Sequence, residues 1–233
     1  MMKIGGLQKV SLIDYPGKIC ATIFTQGCNF RCPYCHNPEL VDLNLYGECQ
    51  SEEELLSFLA KRKGKLDAVC ITGGEPTIQE EALIRFIERV KRSGLLVKID
   101  TNGSNPDVIK TIIHDNLVDY IAMDVKGPLK KYPILTRSKV DVGSIQQSIS
   151  MIMASKIPYE FRTTVLKSQM DEFDLFETGE LIRNARLYVL QQFVPSKTLD
   201  KNYAHQTRYS VEELNTLKKK LIKQVQAVMI RAS

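Results

Sequence analysis

From residue 20 onward, short apolar runs rich in β-branched residues alternate with longer stretches in which apolar residues recur every three or four positions. The runs predict strands over 21–26, 68–72, 97–101, 120–124, 159–165 and 186–193, several of them continuously apolar, as strands covered on both faces of a parallel sheet are. Each is followed by a helical stretch. Ser51 with Glu54, Thr77 with Glu80, and Ser210 with Glu213 have capping-box spacing and mark helix starts. The last stretch, 211–228, carries Leu214, Leu217, Leu221, Val225 and Val228 at helical spacing, which puts Lys218, Lys219 and Lys220 on its wet face. Six such units predict an α/β fold of mostly parallel strands, a partial (β/α)6 TIM-type barrel two units short of closure. The loops after the strands' C-terminal ends then share one rim, and the polar motifs fall there. No linker or low-complexity segment interrupts the pattern, so residues 1–233 are expected to form a single domain.

Composition changes this picture little. The formal charge of +5 is modest and its lysines and arginines are spread along the chain, which suits a solvated surface and predicts no nucleic-acid partner. No run of about 18 apolar residues and no secretory signal is readable, so a cytoplasmic protein without a membrane partner is expected. The six cysteines change more: three lie within residues 28–35, whereas Cys20, Cys49 and Cys70 stand apart. Such clustering favours metal ligation over a disulfide framework. Cys20 and Cys70 adjoin or lie in apolar strands and read as packed thiols, and Cys49 has no assigned role. His114 and His205 read as surface residues.

The loop after the first predicted strand holds Cys28, Cys32 and Cys35 in a C-x3-C-x2-C arrangement. Thiolates ligate iron–sulfur clusters, and a four-iron cubane held by three leaves one iron open to a ligand. The same cysteines could form a zinc knot if His36 or Cys49 supplied a fourth ligand. After the second strand comes Thr72-Gly73-Gly74-Glu75-Pro76, in which paired glycines allow close backbone approach to a ligand and the carboxylate can receive an ammonium group; a plain turn before a helix reads the same way. Asp100-Thr101-Asn102-Gly103 and Asp124-Val125-Lys126 end the third and fourth strands. Their aspartates can hold ribose hydroxyls or a cation, or serve only as caps and turns. Arg162, inside the fifth strand, needs an anion, either a substrate carboxylate or a core acid.

With Tyr34 before its last cysteine, the C-x3-C-x2-C loop resembles that of the radical S-adenosylmethionine superfamily. The resemblance implies a [4Fe-4S] cluster on Cys28, Cys32 and Cys35 whose open iron chelates S-adenosylmethionine, and reductive cleavage to a 5′-deoxyadenosyl radical. It places Tyr34 and His36 beside the adenine and Gly73, Gly74 and Glu75 at the methionine amino group. Asp100, Thr101, Asp124 and Lys126 are similar to the D-T-N-G and D-x-K patterns of glycyl-radical-enzyme activating enzymes, where such residues border S-adenosylmethionine and can hold a monovalent cation; Arg162 is added to this set as the group for the substrate carboxylate. The opening Gly5-Gly6-Leu7-Gln8-Lys9-Val10-Ser11-Leu12-Ile13-Asp14-Tyr15-Pro16-Gly17-Lys18 resembles activating proteins of anaerobic ribonucleoside-triphosphate reductase. That likeness implies a glycyl radical enzyme as protein substrate and a one-electron donor such as flavodoxin or ferredoxin. The His-x-Leu-Gly stretch expected of formate-lyase activases does not follow Gln191-Gln192-Phe193-Val194-Pro195. Two alternatives stand beside this reading: a radical enzyme acting on a small molecule, similar to 7-carboxy-7-deazaguanine synthase, and a zinc-stabilised binding module without catalysis.

Overall fold

The computed structural model describes residues 1–232. Eight strands form one sheet in chain order: β1 (Ile4–Ser11), β2 (Cys20–Thr25), β3 (Ala68–Gly73), β4 (Leu96–Thr101), β5 (Tyr120–Asp124), β6 (Tyr159–Val165), β7 (Tyr188–Gln192) and β8 (Val228–Arg231). β1 runs antiparallel to β2 and every later pair is parallel. The sheet is open, with β1 and β8 as its edges. Seven helices fill the connections: α1 (Glu52–Lys61), α2 (Glu80–Arg92), α3 (Pro106–His114), α4 (Tyr132–Thr136), α5 (Val142–Ala154), α6 (Glu172–Leu181) and α7 (Val211–Leu221). Six strand–helix units therefore run from β2 to α7, and the architecture is a partial TIM-type barrel with one strand added at each end.

The strands have two different faces, because successive side chains point oppositely. On one face Ile23, Val69, Ile71, Val97, Ile99, Ile121, Met123, Phe161 and Leu190 join the main apolar core with Leu83, Phe86 and Ile87 of α2. On the other, Cys20, Ala68 and Cys70 form a small separate cluster with Tyr15, and β4 contributes Lys98 and Asp100. The inner face is thus buried but substantially polar.

Two predicted elements need correction. The pattern over 211–228 is not one helix: α7 ends at Leu221, and Val228 begins β8. Val225 and Val228 are buried all the same, on the same core as Leu214 and Leu217, so a strand following a short turn has mimicked the helical period. At Thr77 and Glu80 no capping box forms. Thr77 lies in a 3-10 turn and donates to Glu75, while Glu80 opens α2 with a positive φ (46°). By contrast, Ser210 and Glu213 cap α7 reciprocally, and Ser51 accepts from the Glu54 amide at the start of α1. Among the described residues no helix is long and apolar enough to cross a membrane.

Candidate active site

One cavity of about 210 Å³ opens at the C-terminal ends of β2 to β6. It is lined by Cys28, Cys32, Cys35, Tyr34, His36, Gly73, Gly74, Glu75, Asp100, Thr101, Asp124, Lys126 and Arg162, together with Asn102 and Thr164. All thirteen residues predicted from the sequence are therefore brought to one place.

The loop after β2 carries the thiols. Cys32 is buried, Cys28 and Cys35 are half-buried, and all three are free. Burial, reinforced by the Glu75 carboxylate, pushes the Cys28 thiol up to about 12, and burial also raises Cys32 and Cys35. Lys126 opposes this shift at each of the three, so the nearby cation favours thiolates. Among the described residues no three His, Cys, Asp or Glu side chains converge on a single ion. A single zinc needs such convergence. A cubane does not, since each thiolate binds a different iron. The Tyr34 hydroxyl is buried at this cavity without a hydrogen-bond partner, so the donor set and the unfilled polar atom both fit a bound cluster and a polar ligand. His36 stacks on Phe193 (centroids 5.5 Å, planes 21° apart), and its Nδ1 lies 3.1 Å from the Lys197 carbonyl.

Gly73 and Gly74 serve the fold before any ligand. Gly73 has φ 120°, and a β-carbon there would meet the Thr25 amide nitrogen at 2.3 Å. One on Gly74 would lie 1.9 Å from the Gly27 carbonyl oxygen, which accepts from the Glu75 amide at 2.7 Å. At Gly74 the space that a side chain would need is filled by the root of the cysteine loop, so packing alone requires this glycine, while its backbone still lines the cavity. Gly74→Ala is expected to destabilise the protein by roughly 1–3 kcal/mol through overpacking against backbone. It should also lower the iron bound on reconstitution, because Gly27 precedes Cys28; an unchanged thermal midpoint would show that the carbonyl moves aside freely.

Glu75 is likewise a structural knot. Its Oε1 accepts from the Thr77 amide (3.1 Å), the Thr77 hydroxyl (2.6 Å) and the Thr101 hydroxyl (2.7 Å), and its Oε2 accepts from the Asn102 amide at 2.6 Å. Burial raises its pKa in spite of these four donors. One carboxylate thereby joins the loops after β3 and β4, and only Oε2 keeps acceptor capacity for an incoming ammonium. Asn102 extends the link to the cysteine loop by donating to Asn29 (2.9 Å).

Beneath these loops a chain of opposite charges crosses the barrel. Lys98 donates to Asp100, whose other oxygen accepts from Arg162 Nη1 at 3.0 Å. Arg162 Nε donates to Asp124 at 2.7 Å, and Asp124 holds Lys126 at 3.1 Å. Of the two anions offered to Arg162 by the sequence, the core acids hold it here. The two aspartates, read from the sequence as able to hold ribose hydroxyls or a cation, are here paired with the chain's own cations. Lys98 and Phe193 belong to no motif. A signal for Lys98 exists, since a lysine between Val97 and Ile99 in a buried strand needs a partner two residues away on the same face.

The sequence model of the radical SAM superfamily matches residues 22–176 of this chain. The chain belongs to that superfamily. It is thus an iron–sulfur enzyme that uses a [4Fe-4S] cluster and S-adenosylmethionine. A Methanocaldococcus jannaschii protein provisionally named a glycyl-radical enzyme activating enzyme is 36% identical over 98% of this chain and 95% of its own length. A pyruvate formate-lyase-activating enzyme of Clostridium pasteurianum is 34% identical over 54% of this chain and 53% of its own. For a 7-carboxy-7-deazaguanine synthase of Methanopyrus kandleri the values are 34%, 49% and 52%. The chain thus spans about half the length of these last two relatives. Streptococcus suis SuiB bound to S-adenosylmethionine shares the fold, with a TM-score of 0.67 at 13% identity over 89% of this chain and 48% of that one.

Proposed function

We propose that this enzyme generates a glycyl radical on a partner protein, and that the partner is an anaerobic ribonucleoside-triphosphate reductase. The observation that carries the proposal is the match over 98% of the chain to a relative named for glycyl-radical enzyme activation, whereas the matches to two small-molecule synthases cover 49% and 64% of it. The N-terminal stretch from Gly5 to Lys18 supports the choice of partner, because it resembles reductase-activating proteins and forms β1 and the turn after it.

In this reading residues 1–233 act as one radical SAM unit in the cytoplasm. Cys28, Cys32 and Cys35 hold the cluster. Tyr34, His36, Gly73, Gly74, Glu75, Asp100, Thr101, Asp124, Lys126 and Arg162 border S-adenosylmethionine, the glycines and Glu75 chiefly by shaping the loops. The cofactor pair supplies, when bound, one-electron reductive cleavage and a hydrogen-abstracting radical. The chain's own part is to position the cofactor, to exclude water through the buried inner face, and to leave a way in for a protein loop. A second cavity, lined by Ile13, Asp14, Gln191, Gln192 and Arg231, shares Asp100 and Arg162 with the first and adjoins the edge strand β8. An unclosed barrel gives a partner's glycine a path that a closed one denies. The electron comes from a flavodoxin or ferredoxin.

The test is incubation of reduced, reconstituted protein with S-adenosylmethionine and the cognate reductase carrying α-deuterated glycine. A glycyl radical seen by electron paramagnetic resonance, with deuterium in 5′-deoxyadenosine, is the expected result. Deuterium transfer from a small molecule without a protein radical would move the enzyme to the synthase class.

A further inference from the structure

The loop bearing the three thiols is held from outside by two segments far apart in sequence. The Arg31 amide donates to the Thr136 carbonyl at 2.8 Å, which ties the loop to the end of α4. From the other side, the Leu199 amide donates to the Cys35 carbonyl and the Asp200 amide to the Pro33 carbonyl, both at 2.9 Å. The two holding segments are themselves joined. Arg137 Nη1 lies 2.8 Å from Asp200 Oδ2, and the guanidinium sits 5.7 Å above the Tyr203 ring.

Arg137 is an odd residue for its backbone. It follows α4 in the left-handed region (φ 46°, ψ 42°), where a helix end normally has glycine because a β-carbon is strained there. An arginine in this place makes sense if its side chain returns something that glycine cannot, and what it makes here is the bridge to Asp200. Asp200 is equally committed: its Oδ1 accepts from the Asn202 amide at 3.1 Å, which fixes the carboxylate for Arg137.

We propose that the Arg137–Asp200 pair is a clasp that holds the cysteine loop closed around its cluster, with Arg137 acting as a positioning residue through Thr136 and Asp200. The proposal rests on the assignment of the cluster to Cys28, Cys32 and Cys35. The bland reading is an exposed ion pair of negligible effect, since Arg137 is 51% exposed. The two readings part at Arg137→Gly, which removes the side chain and relieves the strained backbone together.

The experiment compares the parent with Arg137→Gly, Asp200→Asn and the double variant, each reconstituted anaerobically. Iron release to a chelator is followed by absorbance, and thermal midpoints are taken on the cluster-free proteins. Asn keeps an oxygen for the Asn202 amide, so Asp200→Asn removes the charge and spares the cap. Each single variant is expected to release iron about fivefold faster, the fold-change of an interaction worth ~1 kcal/mol. The double variant should be no faster than either single one, and the midpoint for Arg137→Gly should stay within about 2 °C of the parent. Hydrogen exchange on the cluster-free proteins gives a readout independent of iron: the Arg31, Leu199 and Asp200 amides should lose protection in the variants. Unchanged release and protection, additive effects, or release that merely follows a fallen midpoint would each overturn the clasp. A parent that binds no iron would instead overturn the cluster assignment, leaving the exchange measurement to decide whether the loop is clasped.

Discussion

Cys32→Ala is expected to leave the protein without a [4Fe-4S] cluster, and with it without S-adenosylmethionine cleavage. Three thiols line the cavity, and each binds a different iron if a cubane occupies it, so deleting one leaves two iron positions without protein ligands. Cys32 is the most buried of the three, at 7% exposure, and no other cysteine lines the cavity to replace it. Cys28→Ala and Cys35→Ala should behave alike. Cys70→Ala should retain the cluster, because Cys70 is buried low on the inner face, 3.7 Å from Lys98. Iron and sulfide analysis after anaerobic reconstitution checks all four variants. A full complement in Cys32→Ala would overturn the assignment of the cluster to this loop.

The strands β2 to β7 were legible because each is a short run that contains β-branched or aromatic residues and is followed by a helical stretch. The two edge strands were not, and the reasons are local. β1 contains Gly5 and Gly6, and three of its residues are exposed, so it shows neither a continuous apolar run nor clean alternation. β8 is four residues long, and no glycine or proline separates it from α7, so Val225 and Val228 continued the helical count by coincidence. At the site, the motif residues could be read because they stand at predicted strand ends. Their partners could not. That Thr77, Thr101 and Asn102 close around Glu75, or that Phe193 lies under His36, depends on which loops become neighbours, and single-sequence spacing carries no such information. The same holds for the glycine pair. The sequence pattern suits a ligand's approach or a plain turn alike, and only the placement of β2 against β3 shows that a side chain on Gly74 would meet the Gly27 carbonyl.

Arg162→Met is expected to destabilise the protein by about 3 kcal/mol at neutral pH, toward the lower end of the range for removing one partner of a buried ion pair. The side chain is 11% exposed, and it donates to the Asp100 and Asp124 carboxylates, with that of Glu160 a further ion-pair partner at 3.9 Å. Without it Asp100 and Asp124 each lose a donor, but Lys98 and Lys126 remain on their other oxygens and limit the loss. For a chain of this length the thermal midpoint should fall by roughly 6–12 °C. Burial alone would raise both carboxyls. Arg162, with Lys98 for Asp100 and Lys126 for Asp124, outweighs burial and holds both below the usual carboxylate range. A group whose pKa is lower in the folded state stabilises it above the unfolded pKa, about 3.9 for aspartate, and that contribution disappears as pH falls through the folded value. The difference between parent and variant should therefore be constant from neutral pH down to about 5 and shrink below about 4. Urea unfolding of the two proteins across that range measures it. A difference that stayed unchanged into acid would mean that Arg162 acts by packing its stem and not by holding the two aspartates ionised.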